Sequence, residues 1–180
     1  GLCLTVTAQA AELPDGSAKS AILMASDGTV LYESNADESL PPASVTKIMT
    51  MLLTMEALDE GRVQLTDMVT ASANACSMGG TQIYLKEGEQ MTMDDMLKSI
   101  AIGSANDAAV AVAEHLGGSE EGFVNRMNER AAELGCTGTT FVNPNGLDTG
   151  GEQTLTTARD LALISRELMK HEKIYDYTTT

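Results

Sequence analysis

The segment Ser44-Val45-Thr46-Lys47 is the only Ser-x-x-Lys in the 180-residue sequence, and its residue types suit nucleophilic chemistry. Residues three apart in a helix share a face, so the hydroxyl of Ser44 and the amine of Lys47 come within hydrogen-bonding reach there. A serine hydroxyl becomes a strong nucleophile when a base takes its proton, and a neutral lysine can be that base. Neutrality at pH 7 requires the lysine pKa to fall from ~10.4 by roughly 3 units, through burial or a nearby cation. Without supporting motifs, a helix-capping serine beside an exposed lysine explains the pattern better.

A second pair of polar residues, Ser104 and Asn106, lies in Ser104-Ala105-Asn106. This tripeptide follows an apolar segment, residues 96–103, and precedes an alanine-rich one. A buried helix that ends in a tight polar turn would hold both side chains in a cleft, although either residue could also cap the next helix. The tripeptide recurs at residues 72–74 without such flanks, and we interpret that copy as a loop or a cap.

The elements that must position these residues can be predicted from hydrophobic periodicity. Apolar runs at residues 21–24 and 29–32 flank Ser26-Asp27-Gly28, which predicts a β-hairpin. Apolar residues then recur at helical spacing from Val45 to Leu53, which predicts a central helix that ends at Gly61. Further helices are predicted at residues 92–102, 105–116, 119–134 and 157–170, with a long ordered loop at 136–154. The fold class is therefore α+β: a hairpin, followed by a helical lobe, with too few strands to complete a sheet.

Composition excludes several classes of function. The chain has 26 acidic and 11 basic residues, a formal net charge of −15, which disfavours binding to nucleic acid or to anionic membranes. No apolar run approaches the ~20 residues of a membrane-spanning helix. The cysteines and histidines form no ligand cluster, so a zinc site is not expected. These residues are Cys3, Cys76, Cys136, His115 and His171.

The N-terminal residues 1–11 are small and apolar and include Ala8-Gln9-Ala10, a pattern typical of the end of a secretory signal peptide. A frayed apolar terminus is the alternative. We expect residues 12–180 to form the folded domain. If the protein is exported, Cys76 and Cys136 could form a disulfide, a question that the sequence leaves open.

Taken together, these motifs resemble the serine-type D-alanyl-D-alanine carboxypeptidases, the low-molecular-mass penicillin-binding proteins of bacterial cell walls. The similarity covers the chain from about Lys19 to its end. It includes Pro41-Pro42-Ala43 before Ser44 and several segments in the family's order. These segments are residues 21–24, 31–33, 35–37, 75–80, 104–109, 141–148 and 157–161.

The resemblance implies a β-lactamase/transpeptidase-like fold and a serine acyl-transfer mechanism without metal or cofactor. Ser44 would attack the carbonyl between two D-alanines of a peptidoglycan stem peptide, and Lys47 would be its general base. Ser104 would relay a proton to the leaving amine, and Asn106 would bind the substrate backbone and help to hold Lys47. The implied partners are the stem peptide and β-lactam antibiotics, and the implied place is the cell envelope, where a downstream segment could anchor the protein to the membrane.

One departure from the family pattern is the absence of Lys-Thr-Gly, since none of the six lysines is followed by Thr-Gly. In the family this motif lies on a strand beyond a position that matches Thr180. We therefore expect a truncated chain, residues 12–180 being the N-terminal part of the catalytic domain, that lacks the C-terminal strands of the sheet. Losing one oxyanion donor alone costs on the order of 100-fold in rate, so the isolated chain is predicted to be nearly inactive. The unpaired edge of the hairpin could allow strand exchange between copies.

Two alternatives remain open at this point. A class A β-lactamase would carry Ser-Asp-Asn as its second motif and Glu-x-x-x-Asn in the loop that activates the deacylating water. This chain has Ala105 in the second motif and lacks the Glu-x-x-x-Asn pattern in residues 136–154. A penicillin-binding-like protein without activity, acting as a cell-wall binding module, is the other alternative.

Overall fold

The computed structural model describes residues 6–12 and 18–178. Strands and helices follow the order β1, β2, β3, α1, β4, α2, β5, α3, α4, α5, α6, α7. The strands are β1 Val6–Glu12, β2 Ala18–Ala25, β3 Val30–Ser34, β4 Met68–Thr70 and β5 Gln90–Thr92. The helices are α1 Lys47–Asp59, α2 Ala73–Cys76, α3 Met93–Gly103, α4 Asn106–Gly117, α5 Glu120–Glu133, α6 Ala158–Leu168 and α7 Tyr175–Thr178. Two 3₁₀ helices, Ala43–Thr46 and Glu172–Ile174, directly precede α1 and α7.

The predicted hairpin is present, and it belongs to a three-stranded antiparallel sheet in the order β1-β2-β3. Its turn closes because Gly28 has a φ of +94°, a conformation that glycine adopts without a steric penalty. Ile22 and Met24 of β2 are each 2% exposed and pack against Ala158 and Ala162 of α6. The hairpin therefore lies on α6.

Strand β1 was not predicted, because its residues lie in the segment assigned to an export signal. It pairs with β2 from Val6 opposite Ala25 to Glu12 opposite Ala18. The β2 edge of the hairpin is thus occupied, which corrects the prediction of an isolated two-stranded hairpin. Strands β1 and β3 form the two edges of this sheet, so strand pairing between two copies of the protein stays a prediction. The export signal in residues 1–11 also stays a prediction.

Helix α1 lies at the centre of the helical lobe, as the apolar run from Val45 predicted. Met49, Leu52 and Met55 are at most 1% exposed, and α1 contacts α4, α5 and α6. The side chains that fill the core are largely methionine, leucine, alanine and valine, in agreement with a sequence that has no tryptophan and only two phenylalanines. Among the described residues, no helix combines the length and the apolar character that crossing a bilayer requires.

Side-chain caps fix where four helices begin. The hydroxyls of Ser72, Thr92, Ser119 and Thr157 precede α2, α3, α5 and α6, and each accepts a hydrogen bond from the backbone N–H three residues later. Such a cap typically stabilises a protein by about 1 kcal/mol. The starts capped by Thr92 and Thr157 agree with the helices predicted at residues 92–102 and 157–170. The small antiparallel pair β4–β5 was not predicted, because three-residue strands are too short to show an alternating pattern.

The long loop before α6 is ordered, as predicted. Backbone bridges pair Thr140 with Leu155 and Leu40 with Thr156, which anchors both ends of the loop. The side chain of Asn128 bonds both backbone groups of Phe141, at 2.7 and 3.0 Å. The bonds from Asn128 hold this part of the loop against α5.

Cys76 and Cys136 carry free thiols. The disulfide that the sequence left open is therefore not formed in this structure. Burial raises the pKa of the Cys136 thiol to about 12, so this thiol stays protonated near neutral pH.

Candidate active site

Ser44 and Lys47 lie where the first 3₁₀ helix continues into α1. The backbone N–H of Lys47 donates to the carbonyl of Ser44, so the two residues are one helical turn apart. Ser44 is exposed, whereas Lys47 is only 6% exposed. An exposed serine is therefore followed, one helical turn later, by a buried lysine.

Lys47, Ser44 and Ser104 line one cleft of about 410 Å³. The remaining walls come from α1, α3, α6 and the C-terminal segment and are mainly apolar. They are formed by Ile48, Met51, Ile100, Ala101, Leu168, Ile174, Tyr177 and Thr178. Three of the four candidate residues are thus brought together. Within the described residues, no three His, Cys, Asp or Glu side chains converge as metal ligands.

Two residues of the site have left-handed backbone conformations that only glycine adopts readily. Ala43, directly before Ser44, has a φ of +51°, and Ser104 has a φ of +51° with a ψ of +37°. Such conformations cost of order 1–3 kcal/mol and persist where the surrounding structure enforces them. Their occurrence at the residue before the candidate nucleophile and at the candidate relay serine favours a functional interpretation of this cleft.

Burial lowers the pKa of Lys47 from 10.5 to about 8, because a low-dielectric environment disfavours the ammonium form. About a tenth of the Lys47 side chains are then neutral at pH 7. The amine donates to the backbone carbonyl of Asn145 at 3.1 Å. Burial alone therefore gives Lys47 a small neutral fraction near pH 7.

Asn106 begins α4 and is 5% exposed. Its amide Nδ2 donates to the carbonyl of Gly79 at 3.0 Å, and its backbone N–H donates to the carbonyl of Thr81 at 2.8 Å. The expected contact with Lys47 is replaced by an indirect link, since Nδ2 of Asn145 lies 3.5 Å from the carbonyl oxygen of Asn106.

The neighbouring Asp107 is fully buried and holds the segment of residues 79–85, here called the strap. Its two carboxylate oxygens accept the backbone N–H groups of Ile83, at 3.1 Å, and Leu85, at 3.0 Å. Tyr84 between them is 76% exposed and has a φ of +58°. One helix start therefore fixes both Asn106 and the strap beside it.

Residues 143–147, here called the supporting loop, pack beneath the segment that carries Ser44 and Lys47. The hydroxyl of Thr50 donates to the carbonyl of Pro144 at 2.6 Å. Gly146 approaches Ala43 so closely that a β-carbon at position 146 would lie 1.8 Å from the Ala43 carbonyl oxygen. Residues 141–148 are among the segments that resemble the family, but no local pattern predicts that Gly146 packs against Ala43.

The profile of the D-alanyl-D-alanine carboxypeptidase family, peptidase S11, matches residues 6–180 of the chain. The chain belongs to this carboxypeptidase family. The sequence of D-alanyl-D-alanine carboxypeptidase DacF from Bacillus subtilis is 54% identical over 164 residues, which cover 91% of this chain and 42% of DacF. The chain thus spans less than half the length of this carboxypeptidase.

Solved structures of carboxypeptidases and penicillin-binding proteins share the fold. The crystal structure of the D-alanyl-D-alanine carboxypeptidase DacD from Francisella tularensis superposes with a TM-score of 0.79 at 36% identity, covering 84% of this chain and 36% of that one. Penicillin-binding protein D2 from Listeria monocytogenes, in its ampicillin-bound form, gives a TM-score of 0.75 at 30% identity, covering 89% and 64%. The predicted α+β, transpeptidase-like fold and the family resemblance are confirmed.

Proposed function

We propose that this chain contributes the nucleophile and base of a serine-type D-alanyl-D-alanine carboxypeptidase, which removes the terminal D-alanine of peptidoglycan stem peptides. One observation carries this proposal: the exposed Ser44 lies one helical turn from the buried Lys47, whose pKa is lowered to about 8. Family membership supports the same reaction, since the family is named for it.

In the proposed reaction the Ser44 oxygen attacks the carbonyl carbon of the penultimate D-alanine while the neutral Lys47 amine takes the hydroxyl proton. The tetrahedral intermediate collapses, the carbon–nitrogen bond breaks, and the leaving amine of the terminal D-alanine receives a proton through Ser104. An ester on Ser44 remains, and water hydrolyses it with Lys47 again available as the base. Asn106 would hydrogen-bond the peptide backbone of the substrate.

β-Lactams would acylate the same serine. Penicillin-binding protein D2 from Listeria monocytogenes has been solved in ampicillin- and cefotaxime-bound forms, and its fold matches this chain. A β-lactam ring presents a strained amide carbonyl to the nucleophile, so acylation of Ser44 would open the ring and leave a stable ester. Because stem peptides lie outside the cytoplasm, the proposal also requires export.

We expect the 180 residues alone to release D-alanine far more slowly than the complete protein that carries them. Among the described residues, no second cation contributes to the lowered pKa of Lys47, and the sequence has no Lys-Thr-Gly. The rates of D-alanine release by the two proteins, compared on one diacetyl-Lys-D-Ala-D-Ala substrate, test this expectation; equal rates would contradict it.

Labelling of the complete protein with a fluorescent penicillin, followed by intact-mass and peptide mass spectrometry, tests the proposed function. We expect a stable adduct on Ser44 that Ser44→Ala removes. Ser99→Ala, which changes a partly exposed serine on α3 whose hydroxyl bonds the Asp95 carbonyl, is the matched control and should label like the wild type. Rapid turnover of the penicillin would instead indicate a β-lactamase, and failure of the wild type to label would indicate a binding module.

A further inference from the structure

The supporting loop, residues 143–147, holds its own shape through two buried asparagines. Oδ1 of Asn143 accepts the N–H of Gly146 at 2.7 Å, and its Nδ2 donates to the carbonyl of Leu147 at 2.8 Å. Oδ1 of Asn145 accepts the N–H of Leu147 at 3.0 Å. The two side chains are 6% and 1% exposed, so these bonds face little competition from water. The two asparagines therefore stabilise the turn from within.

Three consecutive residues of the supporting loop contact one face of the helical segment beneath the cleft. Gly146 packs against the carbonyl of Ala43, the carbonyl of Asn145 accepts from Lys47, and the carbonyl of Pro144 accepts from Thr50. The contacted positions, 43, 47 and 50, recur at the spacing of one helix face. The loop thus touches the residue before the nucleophile and the base itself.

A backbone carbonyl is a suitable partner for an amine that must change its protonation state. It accepts a hydrogen bond from an ammonium and from a neutral amine alike, and the neutral amine keeps its lone pair free for the serine proton. A carboxylate at the same place would favour the charged amine and raise its pKa. The side chain of Asn145 decides where this carbonyl points, because it ties the loop to Leu147 and approaches the Asn106 carbonyl.

We propose that Asn145 is a positioning residue for the acyl transfer, which fixes the Lys47 amine through its own backbone carbonyl as part of the supporting loop. The proposal rests on the proposed function. It adds a role in the reaction for the supporting loop, which contacts residues 43, 47 and 50 of the helical segment that carries Ser44. Asn145 acts through Lys47, since its side chain is buried and bonds the protein backbone.

The test measures the second-order rate of Ser44 acylation by a fluorescent penicillin across pH in the complete protein. Asn145→Ala should lower this rate by about 10- to 100-fold, because small displacements of a catalytic group cost that much. It should also move the midpoint of the pH–rate profile upward, since water entering the vacated space would hydrate the Lys47 ammonium. Tyr177 is the other titratable side chain that lines the cleft, and its raised pKa lies outside the range scanned.

A second pair of variants keeps the test valid if Asn145→Ala does not fold. Thr50→Val removes the hydroxyl that reaches Pro144, whereas Thr54→Val removes an equally buried hydroxyl whose bond stays within α1, to the carbonyl of Thr50. We expect Thr50→Val to shift the rate and the midpoint in the direction of Asn145→Ala, by a smaller amount. Thr54→Val should match the wild type in both.

The outcomes separate this inference from the proposed function. If wild-type Ser44 is not acylated, the proposed function fails before the loop is tested. If the wild type is acylated and Asn145→Ala and Thr50→Val leave the midpoint of the profile unchanged, the positioning role is overturned. A lower rate with an unchanged midpoint would indicate a merely structural role and would also overturn it.

Discussion

The α-carbon of Gly146 lies so close to the carbonyl of Ala43 that a β-carbon there would approach the oxygen to 1.8 Å. No side-chain motion can relieve this contact, because both partners are backbone. A position about one hundred residues later in the chain therefore packs directly against the residue before the candidate nucleophile, whose φ is +51°.

We predict that Gly146→Ala destabilises the protein and abolishes penicillin labelling. A left-handed alanine costs about 1–2 kcal/mol, and the overpacking adds about 1–3 kcal/mol to the loss in the free energy of unfolding. Gly150→Ala is the matched control, since Gly150 has the same φ of +81° with nothing within 4 Å of its β-carbon position. Urea denaturation gives the loss in the free energy of unfolding for each variant, and the difference between the two losses is the cost of the close approach to Ala43. Equal losses in the two variants would show that this contact contributes nothing.

Lys47 should impose a pH dependence on acylation. Since the neutral amine is the proposed base and burial lowers its pKa to about 8, the rate should rise from pH 6 and level off above pH 8. Stopped-flow labelling with a fluorescent penicillin measures this profile. A rate that is independent of pH over this range would rule out Lys47 as the base.

Removing the same amine should stabilise the fold. The pKa of Lys47 is lower in the folded protein than in the unfolded chain, so the unfolded state binds more protons between about pH 8 and 10.5 and stability rises with pH there. Burial of the Lys47 ammonium lowers the free energy of unfolding by up to about 3 kcal/mol at pH 7, and Lys47→Met removes this cost. The substitution also leaves the Asn145 carbonyl without its partner, which takes back about 1 kcal/mol. We expect a higher melting temperature than wild type at pH 7, and a difference that shrinks as pH approaches 10.5. An unchanged difference across pH would contradict this.

Ser104 allows its hydroxyl and its backbone conformation to be tested separately. Ser104→Ala and Ser104→Gly both remove the hydroxyl and should both slow acylation, by on the order of 100-fold if the proton relay operates. Only glycine relieves the φ of +51°, so Ser104→Gly should be the more stable of the two by about 1 kcal/mol. Wild-type labelling rates in both variants would exclude the relay.

The ion pair between Arg130 of α5 and Glu56 of α1 should matter for stability more than for catalysis. Arg130 contacts both carboxylate oxygens at 3.0 and 3.1 Å, and the two side chains are 16% and 15% exposed. Breaking a fully buried pair costs about 3–5 kcal/mol. Arg130→Ala breaks this partly buried pair together with the contacts to Glu133 and Glu167, so it should lower the melting temperature clearly.

Arg126→Ala is the comparison for this ion pair. Arg126 is 44% exposed and pairs with Glu133 on the same helix. Exposed pairs contribute about 0–1 kcal/mol, and so this variant should melt close to the wild type. Penicillin labelling below the melting transition should be normal in both variants. Equal melting temperatures of the two variants would contradict the stabilising role of the Arg130–Glu56 pair.

Local signals in the sequence were sufficient for much of this fold. Asp27-Gly28 predicted the β2–β3 turn, and the hydroxyls of Thr92 and Thr157 predicted two helix starts, because caps and turns depend on residues only a few positions apart. The Ser-x-x-Lys spacing likewise predicted that Ser44 and Lys47 share a helical turn. Strand β1 was missed because small apolar residues suit a signal peptide as well as a strand.

The contacts that hold the site together could not be predicted in the same way. Lys47 and Asn145 are 98 residues apart in the chain, and the turn chemistry of residues 143–146 does not specify what the turn packs against. The same holds for Asp107, whose partners Ile83 and Leu85 follow no local pattern. Such contacts depend on how the helices pack around α1, which one sequence leaves undetermined.

The strap has a consequence for exchanging segments between relatives of this protein. Its carbonyls at positions 79 and 81 bond Asn106, and its N–H groups at positions 83 and 85 bond Asp107. A graft of residues 79–85 with another length or curvature would displace the first two residues of α4, because these residues are hydrogen-bonded to the strap. Loop swaps intended to alter specificity must therefore move residues 79–85 and 106–107 together as one block, or the recipient helix will misalign its asparagine.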